Sequence, residues 1–439
     1  MNDLSLISII TALNKFLWGI PLLILMTGGG LYLSAKLRFP QIHIIKIMKR
    51  TLCTLFHKDA AQGSSLTQFQ TFSTALAATV GTGSIVGVGE CIKIGGAGSV
   101  FWLWVSAFIG MGLSYCENYL GVKYSNANNA NKSNKACGAV AYLEHIGKTR
   151  LTALLFALFT VLASFGMGNM AQSGAAASAA KEGFGLSQNL SAIIILLFAF
   201  FICAGKNFAA KLCEKLVPIM SALFIGGSLF VILSRPVLSA NALGNIVTSA
   251  FRPSALITGS TMGAVIFAAV EGLKRGAFSN EAGLGSTVAV HSSCNIKSPS
   301  AQGMWGMAEV FIDTAVICTL TALVILTSGA DPSANGDLAV RAYMLTLGGA
   351  GKIFTSLSLI LFALATLAGW FFIGEKAWRY LCPKTSLPYR LLTLICACSG
   401  ALWSMELIWG ISDIFNGLMA VPNIIGVLIL SKEIKKPKL

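Results

Sequence analysis

The stretch ATVGTGSIVGVGE, residues 78–90, places glycines at positions 81, 83, 87 and 89 of an otherwise apolar run. Glycine in a helix interior is roughly 1 kcal/mol worse than alanine, so this density predicts a helix that unwinds at its middle. Unwinding frees N–H groups at the start of the following half-helix and C=O groups at the end of the preceding one. Inside a membrane such backbone is tolerated only where it is buried in protein or lines a cavity. The N–H groups around Thr82, Gly83 and Ser84 then suit a carboxylate, Ser84 adds a hydroxyl, and the freed carbonyls suit a small cation. The competing reading is close helix packing through the small pair Gly83 and Gly87.

A second stretch, FAAVEGLKRGAFSNEAGLG at 267–285, is also overlong, and it carries Glu271, Lys274 and Arg275 within five residues. Charges there are costly and usually functional. Glu271, beside what reads as a helix-breaking Gly272, is the candidate to meet an ammonium group, and Lys274 and Arg275 are spaced to pair with it. In LFALATLAGWFFIGE (361–375), Ala363, Thr366 and Trp370 share one helix face. A carbonyl and a hydroxyl on that face, with carbonyls of the first break, would form an oxygen cage for sodium, since hard cations take oxygen ligands. Against this stands a Thr366 hydroxyl that only bonds its own helix. Gln172, in SFGMGNMAQSGAAASAA, is placed to donate to a carboxylate or to bond across helices. Glu309 and Asp313, four apart, make one acidic face, expected to join a buried network with the bases of 267–285. The four histidines, His43, His57, His145 and His291, are dispersed and read as lying mostly at membrane edges, with no HExxH, GxSxG or Walker pattern. An enzyme is disfavoured, and no cofactor is implied.

These residues need a membrane scaffold. Of 439 residues 55% are hydrophobic and 11% charged, against about 25% charged in soluble domains. The chain reads as one all-α integral membrane domain, 1–439, in contact with the lipid bilayer. Eleven cysteines, many inside apolar runs and none in a CxxC pair, read as free buried thiols. The net charge of +15 reflects topology rather than nucleic-acid binding. About 20 apolar residues span a bilayer. Eleven segments meet that measure, near 16–35, 67–94, 98–122, 153–180, 189–205, 212–234, 257–290, 303–328, 352–381, 387–405 and 407–430. The first is read as a transmembrane helix rather than a signal peptide. With the amino terminus outside, 23 of the 32 basic residues fall on inside stretches, among them Lys58, Lys132, Lys135, Lys148, Lys206, Lys297 and Lys438. Seven, including Arg252, fall outside, and Lys274 and Arg275 lie within a segment. That bias predicts an outside amino terminus and a cytoplasmic carboxy terminus.

The two Gly-interrupted segments are the second and the seventh. The seventh comes five segments after the second, an odd number, so they cross in opposite directions, as in inverted-repeat transporters with a site at the breaks. This predicts an extra first helix and loop (1–60), a first repeat (61–235) and a second, inverted repeat (250–431).

The strings TALAATVGTGSIVGVGECIKIGGAGSVFWLWVSAFIGM, GLKRGAFSNEAGLGS, FIDTAVICTLTALVIL and ATLAGWFFIGE resemble the alanine/glycine:cation symporter family of bacterial sodium:alanine symporters, over nearly the whole chain. The resemblance implies a leucine-transporter-like fold in a bacterial inner membrane, acting as a monomer. It implies import of alanine, glycine or close relatives such as D-alanine or serine, driven by sodium or, in fewer cases, protons. By position it implies that Thr82, Gly83 and Ser84 hold the substrate carboxylate, and that Gln172, Glu271, Gly272 and Trp370 lie near the pocket. Similarity to the wider fold implies a sodium cage of the Ala77, Val80 and Ala363 carbonyls and the Thr366 hydroxyl. Where the family commonly reads GTGN this chain reads GTGS, and Ser84 lacks the amide's paired donor and acceptor.

Overall fold

The computed structural model describes residues 3–55, 66–130, 136–146, 150–205, 208–251, 261–296, 298–334, 337–403 and 405–437. Among these, all regular structure is helical except one isolated β-bridge between Leu66 and Cys294. His57, Lys58, Lys132, Lys135, Lys148, Lys206, Arg252, Lys297 and Lys438 lie outside the described residues, as does 257–260 at the start of the seventh expected segment.

All eleven expected segments fall on helices. The first lies on α1 (Asp3–Leu17) and α2 (Ile20–Lys36), which meet at Trp18 and Gly19. A shorter amphipathic helix follows, α3 (Ile44–Leu55). The second segment is two helices, α4 (Gln68–Thr79) and α5 (Val86–Gly95), with only a single 3-10 turn between them. Next come α6 (Gly98–Ala130), the short α7 (Ala139–Leu143), and α8 (Leu151–Phe165) with α9 (Ala171–Phe184) joined through a π-helical turn at Gly166–Met170. The fifth and sixth segments are α10 (Gln188–Ala204) and α11 (Phe208–Ser234), after which α12 (Pro236–Phe251) is a helix that the apolar pattern did not single out.

The seventh segment is again split, into α13 (Thr261–Asn280) and the single turn α14 (Val288–His291). A second π-helical run, Phe311–Cys318, joins α15 (Pro299–Val310) to α16 (Thr319–Ser328). The chain then passes through α17 (Leu338–Leu347), α18 (Gly349–Leu381), α19 (Leu387–Leu402) and α20 (Met405–Ile429). Among the described residues seven helical stretches are long and apolar enough to cross a membrane, and three shorter apolar helices accompany them.

Two long helices organise the core. α6 carries α13 and α15 along its length, and α18 packs on α4, α8, α9 and α11. Helices in lipid gain little from apolar burial, so close backbone approach through small residues supplies the attraction. A β-carbon at Gly369 of α18 would lie 2.8 Å from the Ala78 nitrogen on α4, so the two helices cross at that glycine. A β-carbon at Gly272 of α13 would lie 2.2 Å from the Ser99 carbonyl oxygen of α6, and one at Gly276 would lie 2.6 Å from Ser106 Cβ. Gly272 therefore packs two helices together. It does not break one, which corrects the expectation for it and for the adjacent Glu271.

Candidate functional site

The first break is built from its two ends. Thr67 caps α4 in a reciprocal pair, its hydroxyl accepting from the Gln70 N–H at 3.1 Å while Gln70 Oε1 accepts from the Thr67 N–H at 3.2 Å. At the other end α4 stops at Val80, whose N–H still reaches the Leu76 carbonyl at 2.8 Å. The chain then runs extended through Gly81 before the turn at Thr82–Ser84 starts α5. Among the described residues the N–H groups of Gly81, Thr82 and Gly83 donate to no backbone carbonyl. Three elements hold this geometry. Thr82 Oγ1 donates to Gln172 Oε1 at 3.1 Å, and Gln172 Nε2 donates to the Met167 carbonyl at 3.1 Å in the α8–α9 π turn. Thr321 Oγ1 of α16 donates to the Ser84 carbonyl at 3.0 Å. From α18, Thr366 Oγ1 donates to the Val80 carbonyl at 3.4 Å.

The second break lies at Glu281–Thr287, after α13. Gly283 and Gly285 take positive φ of 92° and 71°, and Glu281 does so at 54°. That is left-handed backbone, which a non-glycine residue adopts only where its surroundings hold it. Here they do: Glu281 Oε1 accepts from Trp370 Nε1 at 3.0 Å, and Glu281 Oε2 accepts from Ser286 Oγ. Asn280 Oδ1 accepts from the Ala282 N–H at 3.1 Å, and Asn423 Nδ2 of α20 donates to the Gly283 carbonyl at 2.9 Å.

Asp313, in the π run between α15 and α16, joins the first break to the end of α13, the helix that leads into the second. Its Oδ1 accepts from Ser84 Oγ at 2.6 Å, and its Oδ2 accepts from Ser279 Oγ and Thr314 Oγ1, both at 2.8 Å. All four residues are buried. A π bulge turns side chains out of the regular helical register and is frequent at functional sites.

Beside this junction lies a cavity of about 190 Å³ bounded by Gly83, Gly87, Arg275, Ser279, Trp409 and Asp413, among others. A β-carbon at Gly83 or Gly87 would meet nothing within 4 Å. Those two glycines face open space, which excludes the helix-packing reading of the pair.

The comparisons with known proteins decide what this scaffold is. A model of the "Sodium:alanine symporter family" matches residues 3–437. The chain belongs to the sodium:alanine symporter family. It is a multi-pass membrane transporter of a family that uses no cofactor and co-transports sodium. The symporter is 35% identical over 438 residues to the sodium/alanine symporter AgcS of Methanococcus maripaludis, covering 98% of this chain and 95% of that one. It is 33% identical to the probable sodium/glutamine symporter GlnT of Bacillus subtilis, covering 96% and 87%. Among solved structures, MhsT in complex with L-phenylalanine matches with a TM-score of 0.54 at 13% identity, covering 84% of this chain and 90% of that one. An Eremococcus coleocola manganese transporter matches with a TM-score of 0.54 at 17% identity, covering 83% and 77%. The fold is leucine-transporter-like.

The symporter brings most of the residues singled out in its sequence to this junction. Thr82, Gly83 and Ser84 form the first break, Gln172 and Thr366 bond to it, and Trp370 bonds to the second. Ala77, Val80 and Ala363 are all buried within it or on the helices beside it. Gln172 takes the second of its two expected roles, bonding across helices, with its Oε1 accepting from Thr82 and its Nε2 donating to the Met167 carbonyl. Glu271 stands apart on the continuous α13, its Cβ 3.4 Å from where a β-carbon at Gly95 would lie. Among the described residues no ion pair joins it to Lys274 or Arg275. Glu309 and Asp313 do not form one acidic face. Asp313 turns to Ser84, while Glu309 Oε2 meets His291 Nε2 at 3.1 Å.

That histidine is in the interior of the helix bundle. It is fully buried, and its Nδ1 lies 2.9 Å from Gln302 Oε1, whose amide donates to Gln68 Oε1 at 2.7 Å. The residues missed are Glu281, Ser279, Ser286 and His291. The available signal for Glu281 was the pair Gly283 and Gly285, spaced two apart like Gly81 and Gly83.

Proposed function

We propose that this symporter imports small neutral amino acids, alanine and glycine with D-alanine or serine in the same class, coupled to sodium. Its setting in this reading is a bacterial plasma membrane, with the amino terminus outside, the carboxy terminus in the cytoplasm, and the chain acting as a monomer. The observation that carries it is the meeting of two unwound helices around one buried polar junction, with Gly83 and Gly87 bare towards the cavity. A substrate carboxylate is received by the free N–H groups of Gly81, Thr82 and Gly83, because a half-helix start carries partial positive charge. The narrow cavity beside glycine backbone favours a short side chain. Sodium takes the carbonyls of Ala77, Val80 and Ala363 with the Thr366 hydroxyl, and the 3.4 Å contact of Thr366 with the Val80 carbonyl supports that placement. Glu281 and Asp313, rather than Glu271, bring the carboxyl groups that face the breaks.

Cation and substrate share the first break, so filling one site orders backbone that the other needs. The coupling is then reciprocal. Rocking of the two repeats, 61–235 and 250–431, around this fixed junction gives alternating access. The test is uptake of labelled alanine and glycine into proteoliposomes under imposed sodium or proton gradients. Sodium-stimulated uptake is expected, and no stimulation for any small amino acid refutes the reading. A second reading, proton coupling, draws support from the buried His291–Glu309 contact, and uptake driven by a proton gradient alone in the same vesicles would favour it.

A further inference from the structure

One face of α6 follows the second break along its length. A β-carbon at Gly110 would lie 3.1 Å from Ala282 Cβ, and one at Gly121 would meet Val288. Between these two crossings, a β-carbon at Gly283 would lie 2.9 Å from Leu113 Cδ2. Positions 110, 113, 117 and 121 are three and four apart, so Glu117 shares that face. Its carboxyl stands against the backbone N–H groups of Gly283 and Gly285 and the side chain of Asn423 on α20.

Those N–H groups are otherwise without an acceptor on the backbone. Among the described residues neither Gly283 nor Gly285 donates to a backbone carbonyl, and both take left-handed φ, 92° and 71°. Neighbouring N–H groups in turns of this kind make a concavity that favours an anion. Glu117 is the anion that the chain itself supplies. It is 2% exposed, its Oε1 accepts no hydrogen bond, and no ion pair among the described residues includes it. The charged group that acts on it is another acid, Glu309. A buried carboxylate needs compensation, and here the dipoles of the second break face it. Gly283 is thereby approached from two sides, since Asn423 Nδ2 donates to its carbonyl at 2.9 Å.

We propose that Glu117 is a positioning residue for the second break, its carboxylate holding the N–H groups of Gly283 and Gly285 by charge–dipole attraction. The loop it holds is the one closed by the bond from Ser286 to Glu281, so Glu117 acts on the site through backbone. Because the anion-favouring concavity of the second break is filled from α6, the N–H groups of the first break are the ones left for a substrate carboxylate. That last consequence rests on the function proposed above; the positioning role does not.

The test is amide hydrogen exchange of the full-length protein in detergent, read by mass spectrometry on peptides covering 281–287 and 79–85, with equilibrium binding of labelled alanine at fixed sodium alongside. Glu117→Gln keeps the size of the side chain and removes its charge. It should speed exchange in 281–287 at least about five-fold, as for loss of a charged hydrogen-bond partner, and leave 79–85 at the wild-type rate. Alanine binding should weaken by a similar factor. Glu117→Asp keeps the charge on a shorter stem and should show a smaller change of both kinds. Wild-type exchange in 281–287 of Glu117→Gln overturns the proposal. So does faster exchange spread evenly over the protein, which marks a role in folding alone, or a larger effect in Glu117→Asp than in Glu117→Gln, which makes size rather than charge the property that matters. If Glu117→Gln fails to fold, Glu117→Asp carries the test, and wild-type exchange of its 281–287 peptide overturns the proposal. The exchange measurement needs no substrate, so a wild-type protein that binds no alanine would count against the proposed function while the exchange result still judges Glu117.

Discussion

Trp370→Phe tests whether the second break is held from α18. The indole N–H donates to Glu281 Oε1 at 3.0 Å, and both side chains are buried. Phenylalanine keeps the Cβ that packs on the bare backbone of Gly168, where a β-carbon would lie 2.3 Å away. The substitution therefore removes the donor while retaining most of the ring contact, and leaves Glu281 Oε1 buried without a partner. Such an unsatisfied acceptor costs about 1–3 kcal/mol, which corresponds to roughly 5- to 150-fold in an equilibrium. Since Glu281 is held at a φ of 54°, the cost falls on the ordered form of the break. Alanine affinity, measured by equilibrium binding of labelled substrate at fixed sodium, should weaken within that range. Glu281→Gln, alone and combined with Trp370→Phe, completes a double-mutant cycle with an expected coupling of at least about 0.5 kcal/mol. Wild-type affinity and unfolding temperature in Trp370→Phe, or strict additivity in the double variant, would refute the reasoning.

Gly87→Ala and Gly272→Ala should separate cavity from packing. The first adds a methyl to open space and leaves thermal stability at or above wild type while weakening alanine binding; the second meets the Ser99 carbonyl and should cost about 1–3 kcal/mol of stability, both read from unfolding curves with and without substrate. Thr366→Val should lower apparent sodium affinity in the sodium dependence of alanine uptake, and an unchanged dependence removes Thr366 from the cage. Ser84→Ala takes the 2.6 Å donor from Asp313 Oδ1 and should weaken alanine binding by roughly 5-fold or more; equilibrium binding indistinguishable from wild type would show that this bond does not support the site.

The sequence made one break legible and misplaced the other, and the physical reason is that glycine serves two purposes. Four glycines within nine residues exceed what helix packing needs, so the first break could be read directly. In 267–285 the glycines divide by role. Gly272 and Gly276 let α13 approach α6, while Gly283 and Gly285 occupy backbone that L-residues rarely adopt. Composition shows the glycine and not the neighbour it meets, so Glu271 drew the attention that belonged to Glu281. His291 was illegible for a related reason. Its partners Gln302 and Glu309 lie 11 and 18 residues away, and Gln302 in turn bonds Gln68, which is 234 residues from Gln302. No local period connects them.

Ser84 shows how a departure from the family's GTGN string is absorbed. On its own a serine there is a loss, a single hydroxyl in place of an amide. In the structure that hydroxyl does not wait for substrate. It donates to Asp313, whose other oxygen is held by Ser279 at the end of α13 and by Thr314. Position 84 thereby connects the first break to the helix that leads into the second, through a carboxyl that the π run between α15 and α16 delivers. A longer side chain at 84 would have to displace Asp313 from its 2.6 Å contact or turn away from it. Ser84, Asp313 and Ser279 are thus one hydrogen-bonded group, and a change at any one of the three should shift the other two; on the proposed reading of this junction, substrate choice should respond to the three as a unit.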